Sequence, residues 1–145
     1  MRLRHALAVA ALLAGAACSG GGASPAAGQP CTQPTDCYRG VADAGALLGQ
    51  VMCLPLQGGY CSHTCTTDGD CCAVPGECVA GIKEVCAPLE SNPQTYCFVS
   101  CESADIAATP GGGADPNAYC ASFARAGFNC RSTGGGSANK KFCAP

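Results

Sequence analysis

Cysteine is the residue with the most chemistry to offer here, with 15 in a chain of 145 residues. One stands at Cys18. The others are Cys31, Cys37, Cys53, Cys61, Cys65, Cys71, Cys72, Cys78, Cys86, Cys97, Cys101, Cys120, Cys130 and Cys143. Thiolates can bind zinc, exchange disulfides or close structural cross-links, and spacing separates these uses. The intervals from Cys31 onward are 5, 15, 7, 3, 5, 0, 5, 7, 10, 3, 18, 9 and 12 residues. No Cys-x2-Cys occurs, which removes the paired-knuckle zinc pattern and the thioredoxin-like redox motif. Cys-x-Cys clusters of a thiolate metal sponge are missing as well. The expectation is structural disulfides, with no metal and no cofactor.

Other reactive residues are sparse. His63 is the only histidine beyond the first few residues, and between Cys61 and Cys65 it reads as a solvated loop residue. Ser62 and Thr64 beside it do not make a triad, because a general base needs a positioned nucleophile and an orienting partner. Asp68-Gly69-Asp70 lacks the further spaced ligands and closing Glu of an EF-hand and reads as a turn or cap. Gly111–Gly113 and Gly134–Gly136 follow no strand and precede no phosphate-binding helix, so they read as linkers. No catalytic constellation is present, and the expectation is a protein that is not an enzyme.

Composition sets what must position these residues. Cysteine and alanine inflate the 48% apolar fraction. From Cys18 onward there are only 5 Leu, 2 Ile, 6 Val and 4 Phe, while the whole chain carries 20 Gly and 10 Pro. So small a core requires cross-links, which persist in an oxidising compartment and not in the cytosol. Beyond the first 17 residues, 6 Lys and Arg stand against 10 Asp and Glu, a formal −4. Lys140-Lys141 is the only adjacent basic pair there and tryptophan is absent, so a nucleic-acid surface is excluded.

At the N-terminus, Arg2 and Arg4 precede an uncharged apolar run from Ala6 to Ala17. As a helix that run would reach about 18 Å, too short for a hydrocarbon core of about 30 Å, so residues 1–17 read as a secretory signal. Two processing sites compete: Ala14-Gly15-Ala16 for plain secretion, and Gly15-Ala16-Ala17-Cys18 for lipidation of Cys18. The second stretch resembles bacterial lipoprotein signals, with two small residues before the cysteine and Ser-Gly-Gly-Gly after it. It departs from them at Gly15, where leucine is usual. Ser19 resembles the signal for outer-membrane export. Parity favours lipidation: without Cys18 the remaining fourteen cysteines pair completely, whereas plain secretion leaves one free thiol. Residues 18–30 then form a lipidated cysteine and flexible tether.

From Cys31 onward the cysteines repeat a grammar. An apolar residue precedes Cys-x-Pro at Met52-Cys53, Val85-Cys86 and Phe142-Cys143, and Tyr-Cys recurs at Tyr60-Cys61, Tyr96-Cys97 and Tyr119-Cys120. Cys31-x5-Cys37 echoes Cys65-x5-Cys71. This divides the chain into cysteine-rich units at 31–60, 61–96 and 97–145. The fold class expected is small and disulfide-rich: tandem modules with short β-hairpins and one short helix near 116–126. Strands are predicted at Gln50–Leu54, Lys83–Ala87, Tyr96–Cys101 and Lys141–Cys143. The helix has Asp115 as cap, Pro116 in its first turn, Tyr119 and Phe123 on one face, and Gly127 as its stop. A weaker helix is predicted over Val41–Val51 with Leu47, Leu48 and Val51 inward.

The segment from Cys61 to Cys86 carries Asp70-Cys71-Cys72, then Gly76-x-Cys78 and Cys86-x-Pro88. It resembles small modules of the Dickkopf/colipase and knottin type, and also cysteine-rich modules of bacterial surface lipoproteins. Adjacent cysteines disfavour bonding each other. The resemblance implies a knot-like pairing of Cys61–Cys72, Cys65–Cys78 and Cys71–Cys86, and a rigid scaffold displaying variable loops. The reading that follows is a non-enzymatic, disulfide-stabilised cell-envelope lipoprotein. It would hold to the outer membrane by its N-terminal lipid, with a structural or binding role toward a protein or glycan and no nucleic-acid partner. Leu54–Tyr60 and Leu89–Tyr96 are its candidate contact loops. The alternative is a secreted inhibitor or toxin-like ligand presenting the Cys78–Cys86 loop, with Lys83 offered to a trypsin-like pocket.

Overall fold

The computed structural model describes residues 26–89, 92–134 and 139–145. The signal segment, Cys18 and the tether as far as residue 25 lie outside the described residues. Three two-stranded antiparallel hairpins follow one another: β1 (Val51–Leu54) with β2 (Tyr60–His63), β3 (Glu84–Pro88) with β4 (Thr95–Val99), and β5 (Asn129–Ser132) with β6 (Lys141–Ala144). Each hairpin places two cysteines directly opposite each other, as Cys53↔Cys61, Cys86↔Cys97 and Cys130↔Cys143. These opposed residues do not bond each other. Each reaches back to a cysteine earlier in its own unit.

The bonds are Cys31–Cys53 and Cys37–Cys61, then Cys65–Cys86 and Cys71–Cys97, then Cys101–Cys130 and Cys120–Cys143. Each unit therefore repeats one frame of four cysteines, first bonded to third and second to fourth. The seventh bond, Cys72–Cys78, lies inside the second frame and has no counterpart in the other two. The knot-like pairing is thereby corrected. Cys61, Cys65 and Cys71 bond to Cys37, Cys86 and Cys97, because hairpin register carries each pair of opposed cysteines onto the segment that precedes it.

The frame also moves the unit boundaries. Tyr60-Cys61 and Tyr96-Cys97 lie in the second strands of hairpins and do not start new units, so the repeats run 31–64, 65–100 and 101–145. Residues Ala26 and Ala27 are buried, Gly28 N–H donates to Cys61 O at 3.0 Å, and Cys61 N–H donates to Gln29 O at 2.8 Å. Residues 26–29 of the segment assigned to the tether therefore dock on β2. Equivalent bonds recur at the later entries: Cys65 N–H donates to Thr95 O at 3.2 Å, and Cys101 N–H donates to Lys141 O at 3.1 Å.

Local chemistry explains the short turns. In Cys31-Thr-x3-Asp-Cys37 and Cys65-Thr-x3-Asp-Cys71, the aspartate caps the two residues after the first cysteine. Asp36 accepts from the backbone of Thr32 and Gln33, and Asp70 accepts from the backbone of Thr66 and Thr67. Donation by Thr32 holds the Asp36 carboxyl down at about 2, and the Thr67 and Thr66 amides lower Asp70 in the same way.

Unit three carries α1 (Ser103–Ala108), which the sequence pattern did not flag, and α2 (Pro116–Tyr119), which continues as a π turn through Ala124. Asp115 caps α2 by accepting from Asn117 and Ala118, and Tyr119 and Phe123 meet at 4.7 Å between ring centroids. The helix expected over Val41–Val51 does not form; one 3-10 turn at Ala44–Ala46 replaces it, and Leu48 is 56% exposed. Gly49 lies with its backbone against the Thr64 carbonyl, where any Cβ would collide, so packing fixes an irregular path.

One apolar core joins the units. Tyr60 stacks on Phe128 at 5.8 Å and tilts against Phe98 at 5.2 Å, while Phe98 meets Phe142 at 4.5 Å. Tyr60 Oη accepts from Val99 N–H at 3.1 Å, which satisfies the one polar atom that this burial would otherwise strand. Among the described residues, no helix is long and apolar enough to cross a membrane.

Candidate functional site

His63 occupies the end of β2, fully buried, which corrects its expected solvated position. Its Nε2 lies 2.7 Å from Glu77 Oε1 and its Nδ1 2.9 Å from Thr64 O. The Thr64 carbonyl can only accept, so Nδ1 carries a proton, and one further proton lies between Nε2 and the Glu77 carboxyl. Glu77 Oε2 accepts from Val74 N–H at 2.8 Å, and the Tyr38 ring meets the imidazole edge-on at 5.5 Å. Tyr38 sits at φ 55° although it is not glycine, a conformation that the surrounding packing must maintain. Ser62 Oγ donates to Cys97 O at 2.8 Å, away from the imidazole nitrogens. The group has the geometry of a buried structural pair between units one and two.

Glu84 is a second buried carboxyl, 8% exposed, with Oε2 lacking a hydrogen-bond partner. Burial pushes it well above the usual carboxylate range, the like charge of Glu77 adds to this, and donation from the Ala27 amide opposes it. Its carboxyl lies within 4.8 Å of both Cys72 and Cys78 sulfurs. The remaining groupings of possible metal ligands consist of neighbouring disulfides, for example Cys65, Cys71 and Cys97. Sulfurs committed to S–S bonds offer no thiolate to a metal.

A polar cleft of about 610 Å³ runs between units two and three, lined by Asp68, Cys72, Lys83, Glu84, Glu102, Asp105 and Lys140 among others. Three of its four acidic residues are held by internal partners. Asp68 Oδ1 accepts from Lys140 Nζ at 2.5 Å and from Cys86 N–H at 2.8 Å, Glu102 accepts from Lys141 N–H at 2.7 Å, and Asp105 accepts from Ser100 Oγ at 2.5 Å. The Asp68-Gly69-Asp70 turn is thereby used twice, with Asp70 as cap and Asp68 as the tie from unit two to unit three.

The loops expected to make contacts fall into two kinds. Leu54–Tyr60 is held in place by Arg125, which donates to the carbonyls of Gln57, Gly28 and Gly59 and lies 4.9 Å from the Phe128 ring centroid. Gly59 presses against the Cys31 carbonyl, where a side chain would not fit. Leu56 of this loop and Leu89, at the start of the second, border one shallow apolar depression of about 330 Å³ with Phe142 and Pro145. The Cys78–Cys86 loop is different: Lys83 is exposed, but its carbonyl accepts from Ser100 N–H at 2.9 Å, and Thr109 Oγ1 donates to Gly81 O at 2.9 Å. A carbonyl paired in this way is not free to enter a protease oxyanion hole.

Of the residues singled out by sequence, all fourteen cysteines from Cys31 onward are paired, and Cys18 lies outside the described residues. Gly112 proves to be a packing residue, its backbone against the Ile106 carbonyl, and Gly135 and Gly136 lie outside the described residues. Glu77, Glu84 and Arg125 carried no sequence signal, because a lone acid or arginine in a loop looks the same whether it is solvated or folded inward. No protein-family model matches the chain, and no curated protein or solved structure proved similar to it.

Proposed function

We propose that this chain is a non-enzymatic, lipid-anchored scaffold of the bacterial cell envelope, attached through Cys18 and serving a structural or binding role. The dense disulfides themselves mark a protein of the exported, extracellular type. The observation that carries the finer reading is cysteine parity. Seven disulfides consume every cysteine among the described residues, so none is left as a partner for Cys18. An unpaired thiol in an oxidising compartment is a liability, whereas thioether attachment of a diacylglycerol uses it. Docking of the chain from Ala26 onward leaves residues 19–25 as the spacer between lipid and module.

The non-enzymatic reading is supported by the state of the candidate groups. His63 has both nitrogens engaged within the interior, and Asp68, Glu102 and Asp105 of the central cleft are bound to internal donors. What the module displays is a set of pinned loops, of which Leu54–Tyr60 is the best fixed. Metabolic labelling with a radioactive fatty acid tests the anchor. Label in the wild type and none in Cys18→Ser is the expected result; unlabelled wild-type protein released in soluble form would favour a secreted ligand.

A further inference from the structure

We propose that Cys72–Cys78 is an exchangeable disulfide, opened at Cys72 by thiol reductants that enter the cleft between units two and three, while the six frame bonds stay closed. Three independent features point to it. The bond belongs to no frame, so neither hairpin of the flanking units depends on it. Among the seven it is the only one with neither cysteine buried: Cys72 is exposed and Cys78 half-buried, whereas every frame bond has at least one buried end. Cys72 also lines the 610 Å³ cleft with the exposed Lys83, whose positive charge favours an incoming thiolate against the acids Asp68, Glu102 and Asp105, the first of them already paired with Lys140.

The surroundings suit the leaving sulfur. Cys78 Sγ lies 3.0 Å from the Cys71 carbonyl, which can accept from the thiol once it forms. The Glu84 carboxyl stands within 4.8 Å of both sulfurs. Burial favours its protonated form, which offers a proton beside the departing sulfur and lessens the negative charge facing the attack. A thiolate attacks Cys72 Sγ, the S–S bond breaks, and its electron pair leaves on Cys78 Sγ, which takes up a proton. A second thiolate attacks the reductant's sulfur in the mixed disulfide and releases the Cys72 thiolate, which is then protonated. In sum, one protein disulfide and two reductant thiols become two protein thiols and one small-molecule disulfide. Reduction would untie the ring that holds Glu77 against His63, giving the buried pair between units one and two a redox-dependent restraint.

The test is partial reduction of the purified full-length protein with increasing glutathione, followed by alkylation and peptide mapping. Alkylation confined at first to Cys72 and Cys78, with a trapped glutathione adduct on Cys72, is the expected result. A frame cysteine alkylated first or simultaneously, or an adduct on Cys78, overturns the proposal. In Lys83→Glu, reduction by glutathione should slow roughly threefold relative to reduction by the cationic thiol cysteamine; an unchanged ratio would overturn the cleft route. The double variant Cys72→Ser/Cys78→Ser should retain the six frame bonds, and scrambling of those bonds would show that the loop is not independent.

Discussion

Units two and three hang different material on the same four-cysteine frame. In unit two the first and second cysteines are 5 residues apart, and the length is spent between Cys71 and Cys86, where the Cys72–Cys78 ring carries Glu77 into the interior. Unit three spends its length between Cys101 and Cys120, where α1 and α2 fill the space with apolar side chains such as Ile106 and Tyr119. The hairpins come out alike, with the third and fourth cysteines opposed in register. The difference teaches that the frame dictates the hairpin and leaves the preceding segment free. That freedom gives unit two a polar filling and unit three a helical one.

Breaking the frame should have the largest effect. Removing Cys71–Cys97 as a double serine variant should cost about 3–5 kcal/mol, because it opens a long loop of a small cross-linked module. Removing Cys72–Cys78 should cost about 1 kcal/mol less, since its ring is far shorter. Denaturant titration of the two variants side by side reads this difference, and equal losses would erase the distinction between frame and insertion.

The fillings come next. Glu77→Ala leaves the buried His63 ring without its carboxyl partner and should cost about 3–5 kcal/mol. The double change His63→Leu/Glu77→Met should recover most of that loss, because a buried ion pair replaced by apolar groups is often neutral. In unit three, Asp115→Ala removes only a helix cap and should cost about 1 kcal/mol. Thermal unfolding of the three variants is the check.

Acidity separates two kinds of carboxyl. The folded-state value of Asp36 lies near 2, below its ordinary 3.8, and Asp70 is lowered in the same way. Their contribution is present above the ordinary carboxylate value and lost as pH falls through the folded one. Glu84 is raised, so its effect has the opposite sign: the fold is favoured below the ordinary value of 4.5 and loses stability as pH rises through the folded one. Glu84→Gln should remove that decline and leave the acid limb unchanged, read as thermal stability against pH.

The recurrence of Cys-x5-Cys and Tyr-Cys in units one and two was legible, but the pairing it serves was not, because Cys61 and Cys97 close frames where the pattern suggested that they open units. Unit three misaligned. Tyr119-Cys120 matches Tyr60-Cys61 in letters but supplies the frame's second cysteine, whereas Phe142-Cys143 supplies the fourth. The β2 and β5 strands were hidden because Cys61, Ser62 and His63, and likewise Asn129 to Ser132, carry too little apolar alternation to announce a strand. Disulfides and tertiary pairing hold them there instead. His63 was misplaced for a related reason: its buried partner comes from Glu77, 14 residues away inside a disulfide ring. No local pattern encodes that meeting.

Peptide mapping of the exported protein without reduction, after blocking of free thiols, tests the whole scheme most directly. The expected result is first-to-third and second-to-fourth links in all three units, the separate Cys72–Cys78 link, no alkylated cysteine, and a lipid on the peptide that begins at Cys18. A link from Cys18 to any other cysteine, or a Cys61–Cys72 link in place of Cys37–Cys61, would contradict it.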